Sequence, residues 1–333
     1  MKKLLILTAI AVCCGGYARA QQIPASGKPR VIFETDMGND VDDPMALDML
    51  YKAMERGEID LIGIVSNKDH VASPRYIDIL NTWYGHPGIP IGKVSGGVTV
   101  QEANNYAQLV CESGAFPRTH KDKAYEDAVP LYRRLLAESP DSSVVVVSVG
   151  FSTNLGRLLE SKADRYSPLD GIELVKRKVA YCSVMAGSFG RKARAEFNVV
   201  HDITNAKRLF ALCPVPVVLT PFELGKAVIY PCSSIENDYM WAELHPVVEA
   251  YKVYRKMPYD RPTWDMLSVL YALQPGMFTV SEPGIICVDG KGYTYFTPTP
   301  RGQHTVLSAT PEQAARIRDY FLETLPTKPA KYN

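Results

Sequence analysis

The run Val144-Val145-Val146-Val147-Ser148-Val149 narrows the choice of folds more than any other stretch of the chain. β-Branched residues without polar alternation fit a strand covered on both faces, as in a parallel sheet buried between helices. Further runs of the same kind recur at Val31–Thr35, Leu61–Val65, Val179–Met185 and Val215–Leu219. Helical segments separate them. Asp43-Pro44 opens one, with Asp as N-cap and Pro at the first helical position. Met45, Leu47, Met49, Leu50, Ala53 and Met54 form its apolar positions and Gly57 ends it. Ser73-Pro74 opens another with the same chemistry, Leu155–Leu159 is helical, Asp202 starts a helix to about Leu212, and Thr310-Pro311 caps the last. This alternation predicts an α/β protein with an open, mostly parallel sheet flanked by helices. Ile285–Val288, Asp289-Gly290 and Tyr293–Phe296 read as an antiparallel hairpin at a sheet edge. The stretch 230–265, richer in Tyr, Trp and Pro, reads as a helical cap over one end of the sheet.

Charge and termini restrict the role of such a sheet. With 37 Lys+Arg against 36 Asp+Glu, the chain lacks the basic excess of a nucleic-acid binder. Its 46% hydrophobic content excludes disorder. Met1-Lys2-Lys3, the apolar run Leu4–Cys14 and Ala18-Arg19-Ala20 predict a secretory signal peptide over 1–20, leaving one domain over 21–333. The apolar run is too short to span a bilayer, which takes roughly 20 residues. The expected product is exported, periplasmic or extracellular, and free of the membrane after cleavage. Lipidation at Cys14 is a weaker alternative, because Cys13 precedes it. Cys111, Cys182, Cys213, Cys232 and Cys287 remain without CxxC spacing, which argues against a zinc or redox motif. Cys182 and Cys287 read as core thiols, and no disulfide pair can be chosen from the sequence.

The chemistry concentrates in Glu34-Thr35-Asp36-Met37-Gly38-Asn39-Asp40-Val41-Asp42-Asp43, five carboxylates in ten residues directly after the first strand. Ligands of open parallel sheets bind beyond the carboxyl ends of the strands. Like charges packed there repel, and a hard cation with oxygen ligands, Ca²⁺ or Mg²⁺, relieves the repulsion. The blander reading is a solvated acidic loop. An EF-hand register fails, because Gly38, Val41 and Leu47 fall where ligands or the turn glycine should be. A phosphatase of the haloacid-dehalogenase type fits weakly, since Glu34 replaces the nucleophilic Asp and Gly38 the following Thr.

The segment resembles the calcium-dependent, inosine-uridine-preferring nucleoside hydrolase family, whose N-terminal pattern is Asp-x-Asp-x-Gly-x-Asp-Asp. Here Glu34 stands for the first Asp, and about two extra residues, including Asp40, precede Asp42-Asp43. The resemblance continues in order through Ile64-Val65-Ser66-Asn67, Val147–Leu155, Met185-Ala186-Gly187, Ala195-Glu196-Phe197-Asn198 and Trp264-Asp265. It implies Ca²⁺ held by Asp36, Asp43, Asp265 and the Val149 carbonyl. It implies Asp42 as general base, with Asp40 a rival, and Asn67, Met185, Glu196, Asn198 and Trp264 on the substrate. Trp264 stands where the family has a His that assists the leaving base. An indole cannot protonate a purine but can stack on one. Candidates near the base are His120, His245 and the aromatics Tyr239, Trp241, Tyr251 and Tyr254, with surface or core roles as the alternatives. The implied reaction is N-glycosidic hydrolysis of a ribonucleoside to ribose and free base. The implied partners are this small molecule and, through homodimers or homotetramers, further copies of the chain. A non-catalytic nucleoside- or sugar-binding protein on the same scaffold is the alternative.

Overall fold

The computed structural model describes residues 27–332, so the expected signal peptide, with Cys13 and Cys14, lies outside the described residues. The valine run is strand β5 (Val144–Ser148), with Val149 just beyond its end. Before it come β1 (Arg30–Thr35), β2 (Asp60–Lys68), β3 (Ile91–Val98) and the short β4 (Glu126–Asp127). After it come β6 (Val179–Met185) and β7 (Val217–Thr220). Two-residue strands β8 (Ile229–Tyr230) and β9 (Arg261–Pro262) pair separately. The C-terminal part adds β10 (Thr279–Val280), β11 (Gly284–Val288), β12 (Thr294–Pro298) and β13 (His304–Ser308).

The main sheet runs β12-β11-β13-β7-β6-β5-β1-β2-β3-β4, with β10 beside β13. From β13 to β4 every neighbouring pair is parallel. The expected hairpin is the antiparallel pair β11 and β12. The chain leaves β1 towards β2 and β3, then returns to β5 on the other side. The order therefore reverses between β1 and β5, where Glu34 lies opposite Ser148. Helices pack on both faces, as β-α alternation demands. On one face Val31, Phe33, Val145 and Val147 join a core with the helices Asp42–Glu55, Ala72–Tyr84 and Trp264–Leu273. On the other, Ile32, Val144 and Val146 meet the helices Ala128–Ala137, Thr153–Glu160, Gly171–Lys178 and Ile203–Leu212. The period-2 alternation of strand side chains separates the two sets.

Two helix starts differ from expectation. Asp43 is not an N-cap: its helix begins at Asp42 behind Val41, without a side-chain cap. Ser73 lies inside the helix Ala72–Tyr84, and its hydroxyl donates to the Met37 carbonyl at 2.8 Å, tying this helix to the acidic loop. Thr310 does cap the helix Pro311–Thr324, in a reciprocal capping box with Gln313. The five described cysteines are free thiols. Cys182 is buried as expected, but Cys287 is exposed, because it faces outward on the edge hairpin. No helix among the described residues is long and apolar enough to cross a membrane.

Candidate active site

Four neighbouring strands deliver polar groups to one edge of the sheet. Asp36 follows β1, Asn67 is near the end of β2, Val149 follows β5 and Met185 ends β6. The helix Trp264–Leu273 brings Asp265 in from above, its backbone N–H donating to Asp42 Oδ2 at 2.9 Å. Asp43 accepts from the Thr35 hydroxyl through Oδ1. Asp36 accepts from the Asn39 amide at 2.8 Å. Asp42 and Asp43 are wholly buried, and Asp36 and Asp265 are each 4% exposed.

These groups border a small, half-open cavity of about 70 Å³ lined by Asp36, Val149, Met185, Glu196, Asn198, Trp264 and Asp265, while Asp42, Asp43 and Asn67 lie wholly buried behind its lining. Asn39, Asp40, Glu102, Phe197 and Phe222 complete the wall. A more open depression near Leu159, Lys162 and Asp170 lies where the helix Thr153–Glu160 ends, on the opposite side of the sheet, and gathers none of this chemistry.

The predicted site residues thus come together, with some of their bonding already committed. Asn198 Nδ2 donates to the Val149 carbonyl at 3.1 Å and to the Met185 carbonyl at 3.3 Å. Glu196 accepts the backbone N–H groups of Asn198, Val199 and Gly187, so it caps the short helix Phe197–Val200. The Trp264 indole N–H donates to the Phe222 carbonyl at 2.9 Å, and its ring lies along Phe222. Asn67 is wholly buried, and neither amide atom has a hydrogen-bond partner. Gly150 explains the close approach here. A Cβ on it would lie 2.6 Å from the Asp36 amide nitrogen and collide with Asn67 Oδ1.

Asp40 is drawn away from Asp42 and Asp43 by an ion pair with Arg261, which is itself buried over the rings of Tyr254 and Trp264. His245 is not a surface residue: it packs among Trp83, Trp241 and Tyr239. His120 bonds to the Pro87 carbonyl. Neither histidine lines the cavity, nor do Tyr239, Trp241, Tyr251 or Tyr254.

Lys68 is the principal site residue that sequence reasoning missed. It is buried, donates to Asn39 Oδ1 at 2.6 Å and to Gln101, and Gln101 in turn holds the Gly38 carbonyl at 3.0 Å. Its place directly after Asn67 was the available signal.

Burial raises the acids here, because a charged carboxylate loses its hydration. Asp36 is pushed up to about 6 and Asp42 to about 7. Asp43 and Asp265 are raised well above the usual range, first by burial and then by their carboxylate neighbours. Burial lowers Lys68 to about 8, against the pull of Asp36 and Asp43.

Asp42 Oδ1 and Asp43 Oδ2 are buried without hydrogen-bond partners. Such oxygens are costly to leave unpaired. An oxygen-only, multiply acidic set has the donor chemistry of a hard cation, so the residues present fit Ca²⁺ or Mg²⁺ in kind. No group of three or more His, Cys, Asp or Glu side chains among the described residues is gathered as a ready metal cluster.

A carboxylate-rich cavity at the strand-order reversal of an open parallel sheet defines an α/β protein that handles a small polar ligand. The model of the inosine-uridine preferring nucleoside hydrolase family matches residues 31–317, and the chain belongs to that family. Among solved structures, a plant nucleoside hydrolase is 19% identical with a TM-score of 0.67, the match covering 89% of this chain and 99% of that one. A purine-preferring ribonucleoside hydrolase from Gardnerella vaginalis is 18% identical with a TM-score of 0.69, covering 89% and 98%. A type III effector protein complexed with adenosine diphosphate ribose is 16% identical with a TM-score of 0.63, covering 90% and 93%. At these identities the structures show a shared fold. None of the curated proteins matches the chain by sequence.

Proposed function

We propose that this chain hydrolyses the N-glycosidic bond of neutral ribonucleosides to ribose and free base. The observation that carries the reading is Asp42: a wholly buried carboxylate with one unpartnered oxygen, held by the Asp265 N–H directly behind a cavity that Asp36 and Asp265 line. Asp42 takes a proton from the attacking water. A carboxylate raised to about 7 accepts a proton near neutral pH far better than an ordinary one. Its second oxygen is fixed by the Asp265 N–H, which orients the base.

A divalent cation, calcium in this reading, would be held by Asp36, Asp43, Asp265 and the Val149 carbonyl, and when bound it would polarise water and anchor the sugar hydroxyls. Asn67, with both amide atoms free, binds the pentose, and Glu196 and Asn198 meet its hydroxyls at the wall. Met185 and Trp264 pack the sugar and the base. Positive charge develops on the ribosyl ring as the bond breaks, and the surrounding carboxylates stabilise it. The same acidic wall disfavours phosphorylated ligands, including adenosine diphosphate ribose, with which the effector protein is complexed. The signal peptide expected over 1–20 supports an exported enzyme that would salvage nucleosides.

Reducing-sugar release from a ribonucleoside panel, with and without chelator, tests the reading. Wild type is expected to turn over, chelation to stop it, and Asp42→Asn to lower kcat by roughly 10²–10⁴-fold. Tight nucleoside binding without turnover by wild type would make this a binding protein instead.

A further inference from the structure

The site exists only if two distant segments meet: the acidic stretch 36–43 and the start of the helix Trp264–Leu273. Asp265 brings a carboxylate into the field of Asp42, Asp43 and Asp36, and these like charges push the helix away. Among the described residues, two polar ties oppose that separation. One is the Asp265 N–H on Asp42 Oδ2. The other is the ion pair of Arg261 with Asp40. Arg261 is only 5% exposed, and its guanidinium carbon lies 5.1 Å from the centre of the Tyr254 ring and 5.2 Å from that of Trp264. Its backbone is fixed in β9 opposite Tyr230 of β8, and the Thr263 hydroxyl just after it donates to the Val228 carbonyl at 3.0 Å. A firmly mounted cation thus reaches across to the acidic stretch. Asp40 and Trp264, which it touches, both line the cavity; Arg261 does not. Buried ion pairs add little net stability compared with apolar packing, so this one is better explained by the geometry it fixes.

Resting on the cation-assisted hydrolase reading above, we propose that Arg261 is a positioning residue that ties Asp40 to Trp264 and so keeps Asp265 beside Asp36 and Asp43 before a cation arrives. The cation then meets carboxylates already assembled, instead of having to draw the helix in against their repulsion. Because Asp40 neutralises Arg261, the tie adds no net charge beside the acidic set. The planar guanidinium suits this task, since it pairs with a carboxylate while stacking on rings, which an ammonium group cannot do.

The double variant Asp40→Asn with Arg261→Met removes one charge of each sign, so it cuts the tie without changing the net charge near the carboxylates. Calcium affinity, read by calorimetry, should fall about 10-fold or more, while kcat at saturating calcium stays within about 3-fold of wild type. In calcium-free protein the backbone amides of residues 265–268 should exchange about 10-fold faster or more. A merely structural role would lower kcat at every calcium concentration. Unchanged calcium affinity, or a kcat that excess calcium does not restore, would overturn the proposal and leave the hydrolase reading standing. If the double variant does not fold, Arg261→Lys keeps the charge without the planar fork and should weaken calcium binding about 3-fold or more; wild-type affinity there would equally overturn the proposal. A wild type that releases no ribose would remove the hydrolase reading instead. The tie itself would still be read from amide exchange in calcium-free protein, where unchanged rates in the double variant would refute it.

Discussion

Glu34 shows how the face of a strand decides the use of a carboxylate. It lies on the face of β1 shared with Ile32, away from the Thr35 side, and accepts from the Tyr132 hydroxyl at 3.0 Å and Ser148 Oγ at 3.2 Å. It supports the floor from below, and it does not line the cavity. Burial pushes it up to about 7 from an ordinary value of 4.5. The folded protein therefore holds this proton after the unfolded chain has released it. Its effect on stability is neutral below about pH 4, becomes unfavourable as pH rises towards 7, and is then constant. The cost above pH 7 is at most about 3 kcal/mol. Glu34→Gln should flatten the fall in urea-unfolding free energy between pH 4.5 and 7.5; an unchanged slope would show that Glu34 ionises freely in the fold. The Glu at this position was legible in the sequence, and so were Asp36, Asp42 and Asp43 as a group. The ion pair that removes Asp40 from the cluster was not, because Arg261 lies 221 residues away in the chain.

At the scale of elements, strand ends were easier to read than helix starts. Apolar runs located β1, β5 and β6 within a residue or so, because burial on both faces leaves no polar interruption. β2 runs on to Lys68, three residues past its apolar core, because Ser66, Asn67 and Lys68 are buried polar residues that a hydrophobic pattern cannot register. Asp43-Pro44 and Ser73-Pro74 look like caps locally, but their oxygens have better partners across the fold. Asp43 meets Thr35, and Ser73 meets the Met37 carbonyl. The turn after β5 carries the tightest constraint. Gly150→Ala would drive a methyl group into the Asp36 backbone and Asn67, separating β1 from β5 at the site. It should cost about 1–3 kcal/mol in unfolding free energy and most of the activity. Normal activity with normal stability would show that the β1 and β5 ends move apart freely.

The whole molecule places its chemistry where the strand order reverses. Between β1 and β5 the crossovers diverge to opposite sides, so Asp36 and Val149 border a crevice that neither flanking helix layer fills. The parallel order could be inferred from alternation. The side from which Asp265 arrives could not, because it depends on how the helix Trp264–Leu273 packs against the helix Asp42–Glu55. That packing makes one acidic site out of residues from opposite ends of the chain. The most direct measurement is calorimetric titration of Ca²⁺ into chelator-treated protein at pH 8, above the raised values of Asp36 and Asp42. The account predicts one calcium per chain in wild type and none in Asp43→Asn. Absence of binding in wild type, or unchanged binding in the variant, would contradict it.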